Sequence, residues 1–201
     1  MLNRIDSSQA GNSDGRSTHG GWCEATSEAR TPVNLFLQGP RGAGKTTLLF
    51  DTLASSGLRA GGFAVRRVYA AGRSVGMEMV DLAAGTRDWL MTFDGSGRRQ
   101  VNVACFRTVG VPAIRRALAE ADIAVLDELG RFELDVPEFI EAVTDALDAP
   151  VPVVGVLKDE SNWFLDSIRK RPDTWVIRLE EGTRETVAPS YRQYFSRLLG
   201  L

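Results

Sequence analysis

Nine residues, Gly39-Pro40-Arg41-Gly42-Ala43-Gly44-Lys45-Thr46-Thr47, combine three glycines, one lysine and two threonines in an order that suits one kind of chemistry. Only three of the chain's 24 basic residues are lysine (Lys45, Lys158 and Lys170), so a lysine at the end of this glycine run stands out. The run satisfies GxxxxGK[ST], the Walker A pattern of phosphate-binding loops. Glycines allow backbone N–H groups to converge on phosphate oxygens, and the helix that follows directs its positive dipole end at the same point. Lys45 supplies a mobile charge for the β and γ phosphates, the Thr46 hydroxyl can ligate Mg²⁺, and Thr47 can reach the α phosphate. With this chain's composition, the fixed positions arise by chance in under about 1% of sequences of this length.

A bound nucleotide metal needs a carboxylate, and "ADIAVLDELG" offers one in a Walker B setting. Ile123, Ala124, Val125 and Leu126 read as a buried strand that delivers Asp127 to its carboxyl end, where open α/β sheets bind ligands. Asp127 there holds Mg²⁺ through water. Glu128, one residue on, takes the position of a base that accepts a proton as water attacks the γ phosphate. A guanine-selective box is not present: in "VGVLKDES", Leu157 and Glu160 occupy the places of Asn or Thr and Asp, so loose base selectivity is expected. Lys158 in that segment either points to the site or is a solvated loop lysine.

The elements that must position these groups follow from hydrophobic periodicity. Residues 1–31 are rich in Ser, Gly, Asn and Asp without an apolar period, and are expected to form a disordered tail ahead of one P-loop domain at 32–201. "TPVNLFLQ" reads as a buried strand, and a helix follows from Gly44 to Ser56. "GGFAVRRVYAAGRSVGMEMVDL" reads as a β-hairpin turning near Gly72. Farther on come a turn at "DGSGRRQ", a strand at "VNVACF", a helix at "VPAIRRALAEA", the Asp127 strand, and a helix opening on Pro137. Strands at "VPVVGVL" and "TWVIRL" flank a helix at "SNWFLDSIRK", and "PSYRQYFSRLL" closes the chain as a helix. Apolar strands alternating with helices define an α/β fold with a mostly parallel sheet covered on both faces.

Composition removes other chemistries. The single histidine, His19, excludes Ser-His-Asp and Cys-His catalysis and multi-histidine metal sites, and Cys23 and Cys105 have no CxxC spacing. A net charge of −2 argues against nucleic acid as the main partner. The N-terminus lacks the apolar core of a secretory signal and no run is long enough to span a bilayer, so a cytoplasmic location is expected. No residue pattern names a protein partner.

The order of motifs resembles the small single-domain nucleoside-triphosphatase family first described in thermophiles, which includes the human cancer-related NTPase. "NLFLQGPRGAGKTTLL" is similar to its opening, "GGFAVRRVYAAGRSVGMEMVDL" to its hairpin, and "ADIAVLDELGRFEL" to its DxxxIDEIGxME strand. "SIRKRPDTWVIRLEEGTRETV" is similar to its closing helix, strand and NRD-like turn. The resemblance implies a RecA-like core and slow, Mg²⁺-dependent hydrolysis of several nucleoside triphosphates to diphosphate and phosphate. This chain departs from the family pattern at Arg67, Val68 and Tyr69 and at Thr183, Arg184 and Glu185. Arg131 and Glu133 stand at the family's G[KR]xE positions, where they either line the site or form a surface ion pair. Arg169 and Arg171 are candidates for transition-state charge supplied in cis. Two rival activities share the same site: a small-molecule kinase, for which "DGSGRRQ" is the candidate lid, and a nucleotide-dependent regulatory or assembly protein, which the tail would suit.

Overall fold

Strands with apolar residues on both faces require helices on both faces, and the central parallel strands of the described chain obey this. The computed structural model describes residues 33–200, so the expected tail, with His19 and Cys23, lies outside the described residues. The strands are β1 (Asn34–Gly39), β2 (Ala60–Ala70), β3 (Arg73–Asp81), β4 (Arg87–Phe93), β5 (Arg99–Val101), β6 (Ile123–Leu129), β7 (Val153–Lys158) and β8 (Thr174–Arg178). The helices are α1 (Lys45–Ser56), α2 (Val111–Glu120), α3 (Pro137–Asp148), α4 (Trp163–Arg169) and α5 (Arg184–Leu198). All eight strands form one sheet in the order β5-β4-β3-β2-β6-β7-β1-β8. The five from β2 to β8 run parallel, and β2 through β5 pair antiparallel.

Alternation sorts the core into two layers. Leu35, Leu37, Ile123, Val125, Val154 and Val156 face α1 and α5, whereas Phe36, Ala124, Leu126, Val153 and Leu157 face α2, α3 and α4. Register brings Gly39 level with Lys158, and Ala64 level with Asp127, so the carboxyl ends of β1, β7 and β6 share one rim. There β2 does not stop. It continues past Ala64 to Ala70, turns, and with β3–β5 forms a wall beside the rim.

Four details differ from the sequence reading. "VNVACF" is not a strand: after Val101 the chain coils into a π-helical turn (Phe106–Gly110), because Cys105, Phe106 and Val109 bury themselves in the core and the Phe106 ring meets Phe139 edge-on at 4.8 Å. Strand β4 (Arg87–Phe93) forms in a segment where the sequence pattern indicates no element. The last helix begins at Arg184, ahead of Pro189, which sits exposed inside it. Strand β5 takes in Arg99 and Gln100 from the segment read as a turn, whereas the hairpin at Gly72, the helix opening on Pro137 and strands β1, β6, β7 and β8 stand as read.

Candidate active site

The turn between β1 and α1 is shaped by what surrounds it. Gly39 has φ +145°, and a Cβ there would lie 1.9 Å from the Leu179 carbonyl oxygen, so no other residue fits between β1 and its neighbour. Gly42 has φ +87° and open space around it; its requirement is conformational alone. The first bond of the α1 ladder runs from Leu48 N–H to the Gly44 carbonyl at 2.9 Å, leaving the N–H groups of Lys45, Thr46 and Thr47 without an intrahelical acceptor. These donors, with the helix dipole, define an anion site. The Lys45 ammonium, buried, donates to the carbonyls of Gly39 and Pro40 at 2.7 Å each and keeps a third proton for a ligand.

A cleft of about 910 Å³ opens over this loop. Gly39, Pro40, Arg41, Gly42, Gly44, Lys45, Thr46 and Thr47 border it together with Asp127 and Glu128. Ala43 is the exception among the loop residues: it is buried, with its N–H directed at the Pro40 carbonyl at 3.4 Å.

Asp127 is 1% exposed at the tip of β6. Its Oδ1 accepts a hydrogen bond from Thr46 Oγ1 at 3.2 Å, and its Oδ2 is buried with no partner. Burial pushes this carboxyl up to about 7; the charge of Glu128 adds to the effect, and Thr46, Lys45 and Arg66 oppose it. A buried carboxylate oxygen without a donor, beside a threonine hydroxyl and a lysine, fits a hard cation such as Mg²⁺, which prefers oxygen ligands and retains waters. Register explains how both acids reach one cleft. Asp127 pairs with Val156 and Leu129 with Leu157, so Glu128 is an inserted residue that removes the usual alternation of faces.

Lys158 faces the site: its Nζ lies 3.5 Å from Glu128 Oε1 and 5.1 Å from the Phe132 ring centre, and its stem crosses Gly130. Arg131 borders the cleft, but Glu133 turns away and is buried as the acceptor of the Gly130 N–H, so the two form no ion pair. Burial pushes the Glu133 carboxyl up from its usual range. Neither Arg169 nor Arg171 borders the cleft. Arg169 binds Gln38, Asp166 and the carbonyls of Lys158 and Glu160, and Arg171 binds Asp148, Asp173 and the Leu147 carbonyl. Both arginines are committed to holding loops. Arg184, in the closing turn, lies against the loop at Gly44.

Asp159 also borders the cleft, and its hydrogen bonds from Arg178 and Gln38 hold its carboxyl down at about 2. Farther from the loop, Val65, Met77, Met91 and Phe93 add apolar side chains to the lining, with Arg67 and Arg99 beside them. Motif spacing does not reveal these apolar residues, although their alternation along β2, β3 and β4 does carry the signal.

A phosphate loop at the exit of β1, an acid-bearing neighbouring strand tip, and a mostly parallel sheet flanked by helices define a P-loop NTPase fold. The family model described as NTPase matches residues 34–190, and the chain belongs to that family. It is 32% identical to the nucleoside-triphosphatase THEP1 of Thermofilum pendens over 83% of this chain and 97% of that protein. It is 31% identical to the mouse cancer-related nucleoside-triphosphatase homolog over 78% of this chain and 93% of that protein. The crystal structure of THEP1 from Aquifex aeolicus superposes with a TM-score of 0.65 at 26% identity, covering 78% of this chain and 95% of that one. The solution structure of a human cancer-related nucleoside triphosphatase superposes at 0.63 with 29% identity, covering 78% and 94%.

Proposed function

We propose that this protein is a Mg²⁺-dependent nucleoside triphosphatase that converts ATP and other nucleoside triphosphates to diphosphate and phosphate, slowly and with loose base selectivity. The observation that carries this reading is the Thr46–Asp127 pair with its unpartnered Oδ2, set beside Glu128 on the same rim. The names of the relatives, nucleoside-triphosphatases throughout, support it.

In this reading the N–H groups of Lys45, Thr46 and Thr47 and the Lys45 ammonium hold the polyphosphate, and Thr46 and Asp127 hold Mg²⁺. The ion supplies charge neutralisation on the β and γ oxygens when bound. Glu128 orients a water in line with the γ phosphate. As the water oxygen bonds to phosphorus, its proton passes to the Glu128 carboxylate, and the bond to the β-phosphate oxygen breaks with its electron pair on the diphosphate. Lys158, against Glu128 Oε1, fixes the base and leaves the other carboxylate oxygen for water. The engagement of Arg169 and Arg171 elsewhere removes these two as cis sources of transition-state charge; slow turnover is what the resemblance to the thermophile family implies. Loose selectivity is supported by Leu157 and Glu160 at the positions of a guanine box. Among the described residues no helix is long and apolar enough to cross a membrane, and Cys105 is a buried free thiol, both compatible with the cytoplasmic location we propose.

Phosphate release from ATP, GTP, CTP and UTP, with Mg²⁺ and with excess chelator, tests this reading. Release from several triphosphates that stops on chelation is expected; release that persists without divalent metal contradicts it.

A further inference from the structure

The wall formed by β2–β5 presents a face that the triphosphate reaction does not use. Cross-strand pairing places Arg67 opposite Met77, Met77 opposite Met91, and Phe93 opposite Arg99. Val65 is two residues before Arg67 and Phe93 two after Met91, so all six share one face of the sheet. Deeper on that face, Phe63 and Met79 belong to the core under α2 and α3, with the Phe63 ring 5.4 Å from that of Phe139. The core face therefore runs out from beneath its helices and continues as an apolar shelf bordering the cleft.

The shelf lies on the far side of Glu128 from the phosphate loop. Two strand positions separate β1 from β6, and β4 stands three positions beyond β6, about 14 Å at the usual strand spacing. In the proposed reading Glu128 meets the γ phosphate and Thr47, on the loop side, the α phosphate, so the ribose and base trail away from the shelf. A water nucleophile needs no apolar wall. The cleft volume, about 910 Å³, is near the upper end for pockets that hold one small ligand. At the shelf, Arg67 bonds only Ser74 Oγ, at 3.0 Å, and neither Arg67 nor Arg99 has a carboxylate partner among the described residues.

We infer that this shelf is a second binding subsite, for a planar ring carrying a phosphate, of the nucleoside monophosphate class, next to the γ phosphate of a loop-bound triphosphate. Methionine and phenylalanine side chains offer the ring a polarisable apolar surface, and the Arg67 guanidinium, on the strand next to β6, offers a phosphate paired donors, with Arg99 at the outer end of the shelf. The inference rests on the reading that the loop takes the triphosphate.

Calorimetric titration of AMP, and separately of GMP, CMP and UMP, into protein saturated with Mg²⁺ and a non-hydrolysable ATP analogue tests it. At least one monophosphate is expected to bind at one equivalent with the loop filled. Arg67→Ala and Phe93→Ala are each expected to weaken that binding tenfold or more. Titrating the ATP analogue alone reports the loop independently: analogue bound without any monophosphate overturns the subsite and spares the loop, whereas no analogue bound overturns both. Monophosphate that the analogue displaces competitively, or that binds both variants as it binds the wild type, also overturns the subsite.

Discussion

Thr46 Oγ1 donates to Asp127 Oδ1 at 3.2 Å, joining the start of α1 to the tip of a strand 81 residues later. The bond satisfies one oxygen of a buried carboxylate and leaves the other without a donor, which is costly in a low-dielectric setting unless a proton or a cation is present. Without a cation Asp127 therefore favours its protonated form, and a bound divalent cation reverses that preference.

This linkage has a sign that can be measured. Below pH about 4, Asp127 is protonated in the folded and unfolded chains alike. Between there and the folded value of about 7 the folded chain keeps a proton that the unfolded chain releases, so stability falls with rising pH. The loss is roughly 1.4 kcal/mol per pH unit, on the order of 4 kcal/mol in all. Without metal, Asp127→Asn should match the wild type at pH 4 and exceed it in denaturation midpoint at pH 8. Saturating Mg²⁺ and nucleotide should reverse the order at pH 8.

Lys45→Ala removes a charged donor from the loop and leaves the carbonyls of Gly39 and Pro40 without its hydrogen bonds. A charged hydrogen bond to phosphate is worth about 1.5–3 kcal/mol, so triphosphate affinity should fall on the order of 10- to 100-fold in a binding isotherm.

Gly39→Ala and Gly42→Ala separate steric from conformational need. At Gly39 the new methyl meets the Leu179 carbonyl oxygen, and the adjoining Leu179 N–H bond to the Gln38 carbonyl, 2.8 Å, must open; a loss of more than about 3 kcal/mol is expected in chemical denaturation. Gly42 has nothing within 4 Å, so only the left-handed backbone is penalised, by about 1–2 kcal/mol.

Much of this architecture is legible in the residues because local pattern and tertiary setting agree. Leu35 to Leu37 and Ile123 to Leu126 are apolar on both faces, which suits only strands between helical layers, and the glycine run needs its lysine and threonine whatever the surrounding sequence. Disagreement arises where packing overrides pattern. "VNVACF" has strand composition, yet Phe106 is drawn to Phe139 and the chain coils. Arginine positions say nothing about their partners: Arg169 and Arg171 look available until Gln38, Asp166, Asp148 and Asp173 are seen to hold them. The placement of Glu128 beside Asp127 depends on a register slip opposite Val156 and Leu157, which no spacing in the sequence announces.

The most direct test of the account is Glu128→Gln, with single-turnover phosphate release and triphosphate affinity measured on the same protein. The substitution keeps the size of the side chain and removes its ability to accept a proton. Affinity within a few-fold of wild type with release slowed on the order of 10²-fold or more is the expected result. Release at the wild-type rate would remove Glu128 from the chemistry and contradict the mechanism proposed for this cleft.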